Sequence, residues 1–174
     1  MKNKFMNYPK RIIIFGRPGA GKSTFAIKLH RATGIPLHHL DKHFYEADWK
    51  ERDYNEFISI QQKFVSEDSW IIDGNNTKSL EMRYARANLV LYFNYPRGLC
   101  YWRIFKRLFM KSVIDDRAEG CKETVRWSLL KYIWSFERRV AEPIERLKKC
   151  YPEVKFIEVN SDEGLLELYD ILEK

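Results

Sequence analysis

The sequence predicts an α/β fold built on a parallel five-stranded sheet with helices on both faces. Three observations carry that expectation. Short unbroken apolar runs recur along the chain, of the kind that strands buried on both faces require. Segments of helical period lie between them, the alternation that builds a parallel sheet. A glycine-rich turn, Gly16-Arg17-Pro18-Gly19-Ala20-Gly21-Lys22-Ser23, follows the first apolar run directly and opens the first helix, as in P-loop NTPases. With 174 residues, 45% of them hydrophobic, the chain is the size of one domain with a sizeable core.

Taken in order, Arg11 to Phe15 reads as the first strand and Lys22 to Thr33 as a helix, with Ala26, Leu29 and Ala32 in phase and Gly34 and Pro36 as its stop. Ile35 to Leu40 reads as a second strand ending at Asp41, followed by a loop over Lys42 to Lys50. Asp53 is placed to cap a helix running to about Phe64, with Phe57, Ile58, Ile60 and Phe64 as its apolar residues. Trp70 to Gly74 is a third strand, Thr77 to Ala87 a short helix, and Leu89 to Phe93 a fourth strand. Pro96 opens a helix to about Lys111, and Ser112 to Cys121 is polar. A long helix is expected from about Lys122 to Glu142, broken or kinked at Pro143, with a further piece to Lys149. Val154 to Val159 is the last strand and Glu163 to Leu172 the closing helix. All 174 residues then form one domain with a lid-like insertion at about residues 103–126, between the fourth and fifth strands.

The glycine turn has a definite chemistry. A polyphosphate needs several backbone N–H groups aimed at one point, and only a glycine-rich turn presents them without Cβ clashes. Gly16, Arg17, Pro18, Gly19, Ala20, Gly21, Lys22, Ser23 and Thr24 are therefore the candidate ATP-binding residues. Lys22 reaches for the β- and γ-phosphates, Ser23 offers its hydroxyl to Mg²⁺, and the helix dipole faces the anion. The four fixed positions arise by chance in fewer than about one per cent of chains this long, and the strand–turn–helix context lowers that further.

In open α/β sheets ligands bind outside the carboxyl ends of the strands, so residues just past each strand are the next candidates. Asp41 and Asp73 qualify. One carboxylate can hold the water shell of Mg²⁺ while the other takes the proton of an acceptor hydroxyl; the assignment made here gives Asp73 to the metal and Asp41 to the acceptor. Arg103 and Arg107, four apart, share a helix face, and Arg117 lies in the polar stretch beyond them. Arginines on a closing segment neutralise charge that develops during phosphoryl transfer. The alternative for that helix is a solvated amphipathic face opposite Leu99, Trp102, Phe105 and Phe109. Trp127, Tyr132, Trp134 and Phe136 lie among basic residues and could stack bases, although Trp127, Leu130 and Trp134 at helical spacing read more simply as core.

Charge narrows the partners. The net charge is +7, and residues 97–149 alone hold 14 Lys/Arg against 7 Asp/Glu, an excess equal to that of the whole chain. A basic lobe seeks a polyanion, either the triphosphate or, as the less favoured partner, nucleic acid. Cys100, Cys121 and Cys150 are odd in number and widely spaced, which reads as reduced thiols in a cytoplasmic protein. The N-terminus lacks the apolar core of a signal peptide, and no apolar run approaches about 18 residues, so no membrane association is expected.

Residues 16–24, His39-Leu40-Asp41, Trp70-Ile71-Ile72-Asp73-Gly74-Asn75, Tyr95-Pro96-Arg97, Trp102-Arg103 with Arg107, and Glu119-Gly120-Cys121 together resemble the bacterial DNA topology modulation proteins of FlaR type, an adenylate-kinase-related P-loop family. The resemblance spans nearly the whole chain. It implies a nucleoside-monophosphate-kinase-like fold, Asp73-Gly74 where those kinases carry an Asp-Gly pair, and Arg103 and Arg107 at the edge of a lid. The chain departs from adenylate kinases in having His39-Leu40-Asp41 for their Thr-Gly-Asp, and Asn75-Asn76-Thr77 after Asp73-Gly74 where they carry Phe-Pro-Arg. The stretch from Leu40 to Tyr45 is instead similar to the strand-end acid of nucleoside, shikimate and gluconate kinases, whose acceptor is a hydroxyl. Two expectations follow: a Mg·ATP-dependent kinase acting on a small acceptor, or, as the family label suggests, an ATP-dependent DNA-binding regulator.

Overall fold

Residues 9–109 and 127–173 are described by a computed structural model of the chain. Five strands, β1 (Arg11–Gly16), β2 (Leu37–His39), β3 (Trp70–Asp73), β4 (Leu89–Phe93) and β5 (Lys155–Val159), form one sheet in the order β2-β3-β1-β4-β5. Every pairing is parallel, as the apolar runs predicted. The α-helices among the described residues are α1 (Lys22–Thr33), α2 (Leu40–Phe44), α3 (Tyr54–Ser66), α4 (Leu80–Tyr84), α5 (Arg97–Phe109), α6 (Trp127–Cys150) and α7 (Asp162–Glu173).

Strand alternation sends Ile12 and Ile14 to one face, with Phe25, Ala26 and Leu29 of α1, Cys100 and Ile104 of α5 and Leu168 of α7. Ile13 and Phe15 point to the other, with Phe57 of α3, Tyr84 of α4 and Phe136 and Val140 of α6. Burial of each such Ile or Phe stabilises the fold by about 1.5–3 kcal/mol. Local signals set two helix ends where expected. Gly34 closes α1 in the left-handed region, its N–H donating to the His30 carbonyl at 2.8 Å. Asp53 caps α3, its Oδ1 accepting the N–H groups of Asn55 and Glu56, both at 3.0 Å.

Four elements differ from the expectation. β2 is three residues long, and Leu40 already begins α2, so Asp41 lies in the first turn of a short helix rather than at a strand end. Among the described residues β2 is an edge strand whose sole neighbour, β3, ends at Asp73, the partner of His39. The helix expected from Thr77 to Ala87 is a 3₁₀ turn at Thr77–Ser79 followed by α4.

The faces of α5 and α6 also differ. Cys100 and Ile104 are buried, whereas Trp102 and Phe105 are 57% and 44% exposed. α5 packs directly on the glycine turn: a Cβ at Gly19 would come within 2.6 Å of the Cys100 carbonyl and 3.0 Å of the Ile104 side chain. Such close approach selects the slimmer stripe of the helix. In α6, Trp127 and Trp134 are exposed, and Ile133, Phe136, Val140, Ile144 and Leu147 form the buried stripe. Pro143 does not divide that helix, because buried residues on both sides of it hold one continuous face against the sheet.

Candidate active site

The glycine turn leaves the sheet between its two inner neighbours, β3 and β4. Gly16 pairs with Phe93 and has φ 142°, and a Cβ there would lie 2.2 Å from the Phe93 carbonyl oxygen, so the turn requires glycine at its start. The Arg17 N–H donates to that carbonyl at 3.0 Å, and the Ala20 N–H returns to the Arg17 carbonyl at 3.2 Å. Gly21, at φ 90°, caps α1 with no side chain of its own to satisfy the first N–H groups, and the first turn of α1 has no acid. Those donors and the positive end of the dipole are thereby left for an anion. Lys22 Nζ donates to the Arg17 carbonyl at 3.1 Å, across the mouth of the turn. Pro18 completes the bend, and Ser23 and Thr24 follow in the first turn of α1, half-buried and exposed respectively.

Asp73 ends β3 beside Ile14 of β1 and is 5% exposed. Its Oδ2 accepts from His39 Nδ1 at 2.9 Å, while its Oδ1 is buried with no hydrogen-bond partner. An orphaned carboxylate oxygen at this strand end, together with the Ser23 hydroxyl, is the hard oxygen donor set that Mg²⁺ takes, so the residues fit that ion.

Asp41 is exposed in α2, and Tyr132 of α6 faces it. Burial, and after it the Asp41 carboxylate, pushes the Tyr132 hydroxyl up to about 12. The Asn75 side chain lies beside that hydroxyl and accepts the Gly16 N–H on its Oδ1 at 2.9 Å. His38 stacks on Phe64 at 3.8 Å between ring centres, and His43 meets Phe64 edge-on at 4.8 Å. Burial, reinforced by His38, holds the His43 imidazole below its usual range, so it is neutral at pH 7.

Arg103 turns toward the glycine turn. Its Nη1 donates to the Ala20 carbonyl at 3.4 Å, its Nη2 meets both carboxylate oxygens of Asp162 at 2.9 and 3.1 Å, and its guanidinium lies over the Tyr95 ring at 4.8 Å. Hydrogen bonding from Arg103 comes first among the causes that hold the Asp162 carboxyl below its ordinary range. Tyr95, which also donates to Asp162, is pushed up to about 12 by burial first and by that acid second. Arg107 stands one turn further along α5, half-buried. Arg117 and Cys121 lie outside the described residues, as does most of the expected lid.

Arg17 is the largest departure from a simple phosphate cradle. Its side chain points away from the turn: Nη1 donates to the Tyr95 carbonyl and Nη2 to Glu137 Oε2 of α6 at 3.0 Å, with Arg17 only 3% exposed. Sequence reading took Arg17 for its backbone alone and missed Asn75, Tyr95, Tyr132, Glu137 and Asp162 as neighbours of the site. Asp162 was within reach, because it stands three residues past β5, at the carboxyl edge where Asp41 and Asp73 were found. Asn75 directly follows the Asp73-Gly74 pair.

The strand order and the glycine turn after β1 are those of a P-loop kinase fold. Neither a family model nor a curated protein matches the sequence. Among solved structures, shikimate kinase from Bacteroides thetaiotaomicron is similar with a TM-score of 0.57 at 17% identity, over 95% of this chain and 99% of that one. Shikimate kinase from Acinetobacter baumannii in complex with shikimate is similar with a TM-score of 0.58 at 16% identity, over 97% of this chain and 93% of that one. These likenesses bear out the five-stranded P-loop kinase fold and give the topology-modulation resemblance no support. Among the described residues no helix is long and apolar enough to cross a membrane.

Proposed function

We propose that the protein is a Mg²⁺- and ATP-dependent kinase that transfers the γ-phosphoryl group to a hydroxyl of a small acceptor. The observation that carries this reading is the preformed glycine turn with Lys22 across its mouth, set beside a buried Asp73 oxygen that has no partner. Gly16 to Thr24 hold the phosphates of ATP, and Ser23 and Asp73 hold Mg²⁺, Asp73 through water. The metal, when bound, draws charge from the phosphate oxygens. Asp41 takes the proton of the acceptor hydroxyl as its oxygen bonds to the γ-phosphorus and the bond to the departing ADP oxygen breaks. Arg103, Arg107 and Arg117 supply positive charge to the phosphoryl group in flight. Arg103 supports this role by converging on the turn rather than facing outward, as a nucleic-acid stripe would.

The acceptor is a small hydroxyl compound, and the names of the two neighbours put shikimate first in the panel to be tried, followed by nucleosides, nucleotides and sugar acids. Calorimetry with Mg·ATP and an ADP-release assay over that panel test the reading. Lys22→Ala should lose most ATP affinity while its melting temperature stays unchanged, because Lys22 contributes to the phosphate site and not to the core. Equal ATP binding by wild type and Lys22→Ala would refute the assignment.

A further inference from the structure

Helix α6 is fastened to the glycine turn at its first two residues. At Gly16 the fastening runs through Asn75, whose Oδ1 accepts the Gly16 N–H at 2.9 Å and whose side chain lies beside the Tyr132 hydroxyl. At Arg17 it runs through the guanidinium, which bonds Glu137 of α6 and the Tyr95 carbonyl at the entrance to α5. Tyr132 and Glu137 are five residues apart on α6, and 59 and 120 residues of chain separate the bonded partners of the two fastenings. A phosphate loop needs neither side chain to bind an anion, since its donors are backbone N–H groups and Lys22. A guanidinium buried to 3% exposure whose carboxylate partner is 56% exposed costs desolvation that a surface pair would not, and so calls for a role beyond stability.

We propose that Arg17 and Asn75 are positioning residues that fasten α6 across the phosphate loop, so that nucleotide binding at the loop orders the α6 face that carries Tyr132 beside Asp41. The inference rests on the nucleotide-binding reading above. The Arg17 carbonyl already receives Lys22 Nζ and the Ala20 N–H, so any change in how Lys22 is held acts on the residue whose guanidinium grips α6. The same helix then presents Tyr132 to the acceptor side, linking the two halves of the site through residues that touch neither reacting oxygen.

The test is amide hydrogen exchange of the full chain with and without Mg·ADP, together with calorimetry of ADP binding. ADP is expected to slow exchange in peptides covering residues 127–142. Glu137→Ala is expected to weaken ADP binding by about fivefold or more, the lower end of usual couplings, and to abolish the slowing in α6. Its melting temperature should fall as well, because Arg17 is left buried without its carboxylate, so the ADP response is the readout that decides. Glu137→Gln, whose amide oxygen still accepts from Arg17, should fall between the two, and Glu142→Gln, exposed on the same helix, should match the wild type. A purely structural pair would shift the melting temperature and leave the ADP response intact, which overturns the inference. ADP binding without slower exchange in wild-type α6 overturns it as well and leaves the nucleotide reading standing. Absence of ADP binding by the wild type overturns both.

Discussion

Arg83 is fully buried and, among the described residues, has no carboxylate beside it. Its Nη1 donates to Gln61 Oε1 at 2.6 Å and to Ser79 Oγ at 2.9 Å, and its Nη2 donates to the Asn76 carbonyl at 3.0 Å. Burial lowers its pKa to about 9, which leaves it a cation at neutral pH. By holding the Asn76 carbonyl it shapes the segment that begins with Asp73-Gly74-Asn75 and carries the site. Arg83→Ala should reduce stability by roughly 2–4 kcal/mol in urea denaturation, through the cavity and the loss of the guanidinium donors to the Gln61 and Asn76 oxygens. An unchanged midpoint would remove that role. The two aspartates divide by environment in the same way. Asp73 is buried and held by His39, whereas Asp41 is exposed in α2. Asp73→Asn should raise the Mg²⁺ concentration needed for half-maximal turnover, and Asp41→Asn should lower kcat with the Kd for Mg·ATP unaltered. Loss of ATP affinity alone in both variants would refute the division.

At the scale of elements, α6 shows packing overriding propensity. Pro143 has no N–H to give the Arg139 carbonyl, a cost of about 3 kcal/mol in an isolated helix. The helix nevertheless runs unbroken through it, because Phe136, Val140, Ile144 and Leu147 form one stripe buried against β-strand residues and α4. Pro143→Ala should therefore stabilise the protein, by about 1–3 kcal/mol, read as a raised urea midpoint with unchanged m-value. A lower midpoint would mean that the helix is bent to fit at this point. The α5 stripe has a different origin. Its larger aromatic residues, Trp102 and Phe105, are left at the surface because the turn at Gly19 admits only Cys100 and Ile104. Lys106 lies over Trp102 at 4.8 Å and Arg97 over Trp134 at 4.7 Å, so two of the exposed rings carry a cation on their faces.

For the whole molecule, alkali is the informative perturbation. Tyr92, Tyr95 and Tyr132 are each pushed up to about 12 from 10, with burial the first cause in every case. A folded pKa above the unfolded value contributes stability that is fully present below pH 10 and is lost as pH rises through 12. Arg83 works in the opposite direction, since its folded pKa lies below the unfolded value and its burial penalty eases above pH 9. With three tyrosines against one arginine, the urea midpoint should fall between pH 10 and pH 12. Absorbance titration at 295 nm should show these phenols ionising near 12 in the native protein and near 10 in urea. Coincident native and unfolded titrations would contradict the burial of these hydroxyls.

The sequence by itself determined the number of strands, their parallel character and the glycine turn, because each is written in contiguous residues. Apolar runs such as Leu89 to Phe93 need burial on both faces, and the glycines at 16, 19 and 21 answer a local steric demand. It also located Asp73, since a carboxylate just past a buried strand falls at the ligand edge of any such sheet. Only the tertiary structure decided which side chains meet at that edge. The sheet order β2-β3-β1-β4-β5 brings Asn75 to Gly16 and His39 to Asp73, and the path of α6 over the sheet brings Glu137 to Arg17. It likewise chose the faces of α5 and α6, helices that carry large apolar residues such as Trp102 and Trp134 outside the stripe that is buried. The physical reason is the same in each case: periodicity fixes what a segment is, but the partner of a side chain depends on segments far along the chain, and close packing selects among faces that are equally apolar on paper.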